Sequence, residues 1–198
     1  METSSTPRPR RMPPELREKA IRDAAIALAQ ESGIANLTVR TVAARAGVAP
    51  ALIAHYRPSM DAFVAEVFGA IVAAEREDVF AAAAAIEGPR QRIAAIVEML
   101  LDGQRDDVTL VWVQAWAAGA RNEELAARVR HEMDGWQQDL EAVVADGVGA
   151  GEITATQAEG AAWLLLAMVD GMNAHSLVKW APDDRSGLAR RALAAVLG

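Results

Sequence analysis

Few residues of this chain stand where they could make or break bonds. His55, His131 and His175 are far apart, and no metal-ligand spacing, phosphate-binding glycine loop or nucleophile motif accompanies them. An enzyme is therefore not expected, nor is a cofactor or metal. The residue types that do recur suit recognition. Trp112, Trp116, Trp136 and Trp163 lie on apolar segments that should pack together, and an indole is a large apolar plate with a single N–H donor. Such a cluster either fills a core or lines a cavity with a polar handle. Gln114, Asp170, Asn173 and His175 interrupt apolar stretches. A buried polar group needs a partner, which here is a ligand, a water, a neighbouring helix or a second chain.

A second kind of chemistry is electrostatic. Residues 1 to 57 hold 9 Lys and Arg against 5 Asp and Glu, whereas the remainder holds 11 against 22, so a head of charge +4 precedes a body of charge −11. That asymmetry suits one end meeting a polyanion while the other is repelled from it. The chain has 198 residues, 52 % of them apolar, enough for one good core or for a small module attached to a larger one. Cysteine is absent, which excludes disulfides and thiolate metal sites and suits a reducing cytoplasm. Residues 1 to 14 carry arginines and prolines with no apolar run, unlike a secretory signal. Ala161 to Val178 is long enough to span a bilayer, but Asp170, Asn173 and His175 would be costly there. It reads as a buried helix, and no membrane partner is expected.

The elements that must position these residues are helical throughout. Residues 1 to 13 have no apolar period and read as a flexible basic arm, whose Arg8, Arg10 and Arg11 either enter a minor groove or are simply solvated. From Glu15, Leu16, Ala20, Ala24 and Leu28 mark an amphipathic helix that stops at Gly33. Later stripes include Phe63 to Ile71, Ile93 to Leu100 and Leu110 to Ala117, then Leu125, Val129, Met133, Trp136, Leu140 and Val144. The last run from Ala158 to Lys179 and from Leu188 to Val196. No convincing strand appears, so the fold class is all-α with about nine helices.

The most specific pattern lies in residues 15 to 57. Thr38 can cap a helix over Val39 to Arg45, small Ala43 and Ala46 allow a second helix to cross closely, and Gly47 supplies a left-handed turn. Pro50 then sits at the first turn of a helix that reaches about Arg57. This is a helix-turn-helix, whose second helix lies in the DNA major groove while the first crosses the backbone. The expected division is an arm (1–13), a helix-turn-helix domain (14–58) and a helical domain for ligand binding and dimerisation (59–198).

Ile21, Ala24-Ala25, Gly33, Leu37-Thr38-Val39, Val42-Ala43, Ala46-Gly47-Val48, Ile53, His55-Tyr56 and Pro58-Ser59 follow the order and spacing of the TetR family of transcriptional regulators, which residues 15 to 68 resemble. Val111-Trp112 to Trp116, Ala120 to Leu125, Gly147 to Ile153 and Met168 to Gly171 look like the C-terminal domain of BetI-type members. The resemblance implies an Ω-shaped homodimer that binds operator DNA and answers to a small-molecule effector, most simply as a repressor released by that effector. It also implies roles. Thr38, Arg40 and Thr41 would contact the DNA backbone. Pro50, Ala51, Ala54 and His55 would face base edges or the groove wall, and Tyr56 would reach a phosphate. Alone, Thr38 is a cap, Tyr56 a core aromatic and Arg40 a solvated charge; their joint spacing is what argues for DNA.

The sequence departs from the family pattern at Arg57, where an aromatic is usual, and at Met60, where a lysine is usual. Arg57 could itself supply the missing cation. A reading face of Ala51 and Ala54 offers few hydrogen bonds, which leaves more to DNA shape. For the body, the BetI likeness implies a small-molecule effector whose identity the sequence leaves open, a cation held by aromatic faces and Asp170 being one candidate; the expected site is Trp112, Trp116, Trp136, Trp163, Asp170 and Asn173. The last two helices, with Leu165, Val169, Met172, Leu188, Ala192 and Val196, are expected to form a four-helix interface with their symmetry mates. The alternative is a helical ligand-binding or scaffold protein whose DNA head has degenerated.

Overall fold

The computed structural model describes residues 13–180 and 185–198. Arg8, Arg10 and Arg11 of the expected arm lie outside them. The described residues form ten α-helices and one 3₁₀ turn, without a strand. They are α1 (Pro14–Ser32), the 3₁₀ turn (Ile34–Asn36), α2 (Val39–Ala46), α3 (Pro50–Tyr56), α4 (Met60–Ala84), α5 (Pro89–Leu101), α6 (Asp106–Gly119), α7 (Glu123–Gly149), α8 (Ala155–Ala158), α9 (Ala161–Ser176) and α10 (Arg185–Leu197). The helix beyond the expected nine is α8, whose four residues are too few to show an apolar period.

Local chemistry accounts for the head. Thr38 Oγ1 accepts from the Thr41 amide at 3.1 Å, and the Thr38 amide donates back to Thr41 Oγ1 at 2.9 Å, a reciprocal cap on α2. Gly47 ends α2 at φ 66° and ψ 34°, the left-handed conformation that favours glycine, and Pro50 occupies the first turn of α3. Further on, Ser59 caps α4, and Asn122 caps α7 ahead of Glu123 and Glu124, whose charge suits a helix N-terminus.

Packing joins these helices into two apolar clusters. The first combines the head (Ile21, Val42, Ile53) with Phe63, Phe68 and Val72 of α4, Val111 of α6 and Leu125 of α7. The second gathers Val79 of α4, Ile96 of α5, Leu140 of α7, Leu165 of α9 and Leu197 of α10. The expected division at residue 58 thus runs through a continuous core, and α4 belongs to both clusters.

Several faces differ from the sequence expectation because a helix's apolar stripe does not say which neighbour covers it. On α1 the buried face is Ile21, Ala25 and Ala29, and Leu16 is exposed. On α7 the buried position is Glu132, not Met133, which is exposed. The helix expected from Ala158 begins at Ala161, after Gly160 turns the chain at φ 68°. The expected interface residues Leu165, Val169 and Ala192 are a correction: all three are buried within the chain's own core and present nothing to a second one. Met172, Leu188 and Val196 are half-buried. The apolar side chains left exposed near α9 are Trp163, Leu164, Val178 and Trp180.

Glu132 is 1 % exposed and is held by Arg128 at 2.7 Å and, more distantly, by Arg76 of α4 at 3.9 Å. The Arg128 side chain lies over Gly69 of α4, in the space a Cβ there would need. The 2.7 Å pair lies within α7, and the link to α4 comes from Arg76 and from the Arg128 side chain over Gly69; the two halves of the pair are unequally buried. Removing Arg128 leaves a carboxylate stranded in the interior, whereas removing Glu132 leaves guanidiniums that reach water. Arg128→Ala should therefore cost about 3 kcal/mol and Glu132→Leu clearly less, measured by urea unfolding at one protein concentration.

Candidate functional site

Two sites emerge, one on the head and one in the body. On the head, Thr38 and Arg40 are exposed at the start of α2, and Pro50, Ala51, Ala54 and His55 are exposed together on α3. Tyr56 is half-buried against the first cluster, its ring edge-on to His55 at 5.4 Å. Thr41 is less available than expected. Its hydroxyl donates to the Asn36 carbonyl at 2.6 Å while accepting from the Thr38 amide, so it is engaged in holding the cap.

Arg57 requires a correction. Its side chain is largely buried, lies 4.7 Å from the centre of the Phe63 ring, and pairs with Glu18 of α1 at 3.3 Å and Glu66 of α4 at 3.1 Å. Flanked by two carboxylates, it is not a free cation for a phosphate. It takes the place of the missing aromatic by stacking on one, and fastens the end of α3 to the helices on either side.

In the body, Trp112, Trp116, Trp136 and Trp163 all line one cavity of about 240 Å³, together with Asp170 and Asn173. The cavity lies between the two apolar clusters, and Trp112 packs against both. Its ring stands edge-on to Phe68 at 5.0 Å and beside Trp116 at 5.7 Å. Trp163 is 64 % exposed, and the lining residues Met133 and Asp134 are exposed too, so this side of the cavity faces solvent. Asn173 Nδ2 donates to the Leu100 carbonyl at 2.8 Å, which satisfies one of the expected unpaired polar groups within the chain. His175 lies instead against Trp180, 4.9 Å between ring centres.

Among the lining residues that sequence reasoning missed is the buried acid Glu75, only 8 % exposed, whose carboxylate accepts from the Trp112 indole at 3.4 Å. It falls within the run Glu75-Arg76-Glu77-Asp78, which reads as a solvated face. A signal was present all the same, because Phe68, Val72, Glu75 and Val79 share one helical stripe. Burial pushes the Glu75 carboxyl up to about 7, against the pull of Arg105 and the indole hydrogen bond. Burial alone pushes Asp170 up to about 6. Aromatic plates around carboxylates are suited to a compact organic cation.

The head and the cavity share α6. Trp112, Val113 and Trp116 face the cavity, while Gln114 between them reaches the head, where its Oε1 accepts from the Ala35 amide at 2.9 Å. This approach needs Gly33, since a Cβ there would stand 2.3 Å from the Gln114 side chain.

Comparison with known proteins shows the family of the chain. Residues 21–67 match the bacterial regulatory proteins of the tetR family, and residues 89–198 match the BetI-type transcriptional repressor C-terminal domain. The chain belongs to the TetR family. This regulator is 29 % identical, over 170 residues, to the HTH-type transcriptional regulator BetI of Rhizobium meliloti, covering 84 % of its own chain and 81 % of that protein. Its fold is shared with a transcriptional regulator from Saccharomonospora viridis solved in complex with choline, at a TM-score of 0.78, 22 % identity and coverage of 90 % and 94 % of the two chains. A TetR-family regulator from Rhodococcus superposes at 0.77, with 20 % identity over 93 % and 100 % of the chains. The matched families are regulators and not enzymes, and among the described residues no helix is long and apolar enough to cross a membrane.

The raised carboxyls link stability to pH. Glu75 keeps its proton in the native state up to about pH 7, while in the unfolded chain it ionises in the ordinary carboxylate range. Between those limits the native state binds more protons, so stability falls as pH rises. Relative to wild type, Glu75→Gln of this TetR-family regulator should gain on the order of 2 kcal/mol between pH 5 and pH 8. Urea unfolding across that range checks it, and equal slopes in the two proteins would refute it.

Proposed function

We propose that this regulator is a repressor that binds operator DNA as a homodimer through α3 and is released by a small organic cation in the tryptophan cavity. The observation that carries this reading is the arrangement of α6, one face of which lines an aromatic, acidic cavity while Gln114 holds the head. The choline bound by the Saccharomonospora viridis regulator supports a ligand of that class. The division of labour follows the chain: residues 14–58 read DNA in the cytoplasm, and residues 59–198 bind effector and pair the subunits. Pairing involves the exposed apolar surface near α9, where Leu164 and Val178 stand, in place of the buried Leu165 and Val169.

On DNA, the two reading helices of a dimer must lie about 34 Å apart, one turn of the duplex. A ligand that favours another spacing lowers DNA affinity by its differential binding energy. A cation drawn between Trp112, Trp116 and Asp170 would bear on α6, and α6 would carry the change to Ala35 beside the cap of α2. Thr38 and Arg40 would anchor the phosphates, and Pro50, Ala51, Ala54 and His55 would lie against the bases.

The direct test is a titration against labelled DNA from upstream of the regulator's own gene, with unrelated DNA as control, at two salt concentrations and with and without choline. Tight, salt-sensitive binding to its own DNA that choline weakens is the expected result. Equal weak binding to both DNAs would favour a degenerate head on a ligand-binding body, consistent with the paired Arg57. Arg40→Ala should weaken binding on every sequence and reduce the salt slope by about 1. Asp170→Asn should lose the thermal shift that choline produces in wild type; an equal shift in both proteins removes Asp170 from the site. Gln114→Leu should cut the effect of choline on DNA affinity by about fivefold while choline affinity, measured by calorimetry, stays within about twofold.

A further inference from the structure

The described lining of the cavity contains three acidic side chains, Glu75, Asp134 and Asp170, and no basic one. Asp134 is exposed at the rim and is balanced by water. Glu75 and Asp170 are different, since they enter the same cavity from separate helices, α4 and α9, and each is withdrawn from solvent. An ionised carboxylate in such a place needs a counter-charge; the described lining supplies none, and Arg105, outside it, acts on Glu75 but not on Asp170.

We propose that Glu75 and Asp170 are paired counter-charges of the effector site, and that the cavity exchanges their protons for the positive charge of an organic cation. The inference rests on the cation reading given above and adds to it a second anionic residue and a dependence of effector affinity on pH. With the cavity empty, protons neutralise Glu75 up to about pH 7 and Asp170 up to about pH 6. When the cation enters, it takes over that role and the protons leave to the buffer.

The surroundings of each group assign it a share. Glu75 is faced by Arg105 and Asp107 at the start of α6, by the Trp112 indole that donates to it, by Asp170 from α9, and by Asp134 across the cavity from α7. Burial opposes its ionisation most, Asp107 and Asp170 add a smaller push, and Arg105 with Trp112 offsets the burial only in part. Asp170 is raised by burial alone, so a cation close to it meets the less protonated of the pair at neutral pH. Glu75 keeps its proton to higher pH and releases more of the total. It also orients Trp112, whose ring is one of the plates the cation would meet.

The test is calorimetric titration of the full chain with choline at pH 6, 7 and 8, repeated at pH 6.5 in two buffers of different ionisation enthalpy. Affinity is expected to rise about twentyfold from pH 6 to pH 8, with close to one proton released per site at pH 6.5. Glu75→Gln should flatten the rise to about twofold, whereas Asp170→Asn should leave about tenfold of it. Choline binding with no pH dependence and no proton release would overturn the proposal while leaving the cation site standing. No choline binding at any pH would overturn the cation reading and this proposal with it. Should Glu75→Gln fail to fold, the wild-type pH profile and proton count decide the matter alone.

Discussion

The structure depends on α4 being one uninterrupted helix shared by two cores. Its first half, from Phe63 to Val72, packs with the DNA head, and its second half, with Val79 and Ala83, packs with the body. Glu75 stands at the changeover. Apolar contact is continuous on either side of it, and so the space between the clusters becomes the cavity. The acid that a well-filled interior would exclude is tolerated there because Trp112 donates to it and a proton can neutralise it.

Around α4 the polar links are few and specific. Glu132 with Arg128 and Arg76 ties it to α7, and Arg57 with Glu18 and Glu66 ties α3 to α1 and α4. Gln114 joins α6 to the turn before α2. The Arg57 links fasten the end of α3 to α1 and α4, and the Gln114 link fastens the turn before α2 to α6. A charged group held in this way is not available to DNA. The head consequently has an apolar reading face with its exposed Arg40 to one side.

The local part of the fold was legible in the sequence because its determinants lie close together along the chain. Thr38 is three residues from its partner Thr41, and Gly47 and Pro50 punctuate a single turn. The tryptophans were legible as a group because their segments had to pack, and they do surround one cavity with Asp170 and Asn173. Glu75 was hidden by its charged neighbours, and Glu132 by the adjacent Met133, although both sit on the buried stripes of their helices.

What the sequence determined by itself was therefore a TetR-like helix-turn-helix and an all-helical body with an aromatic interior, since capping, turn geometry and apolar period act over a few residues. Tertiary structure alone decided which face of each helix meets protein and which meets solvent. That decision put Leu165, Val169 and Ala192 inside the chain, tied Arg57 to Glu18 and Glu66, and set Glu75 against Trp112 in the cavity. The physical reason is that an amphipathic stripe is wider than one neighbour can cover. The partners that fill it come from positions tens of residues away, whose approach no local spacing encodes.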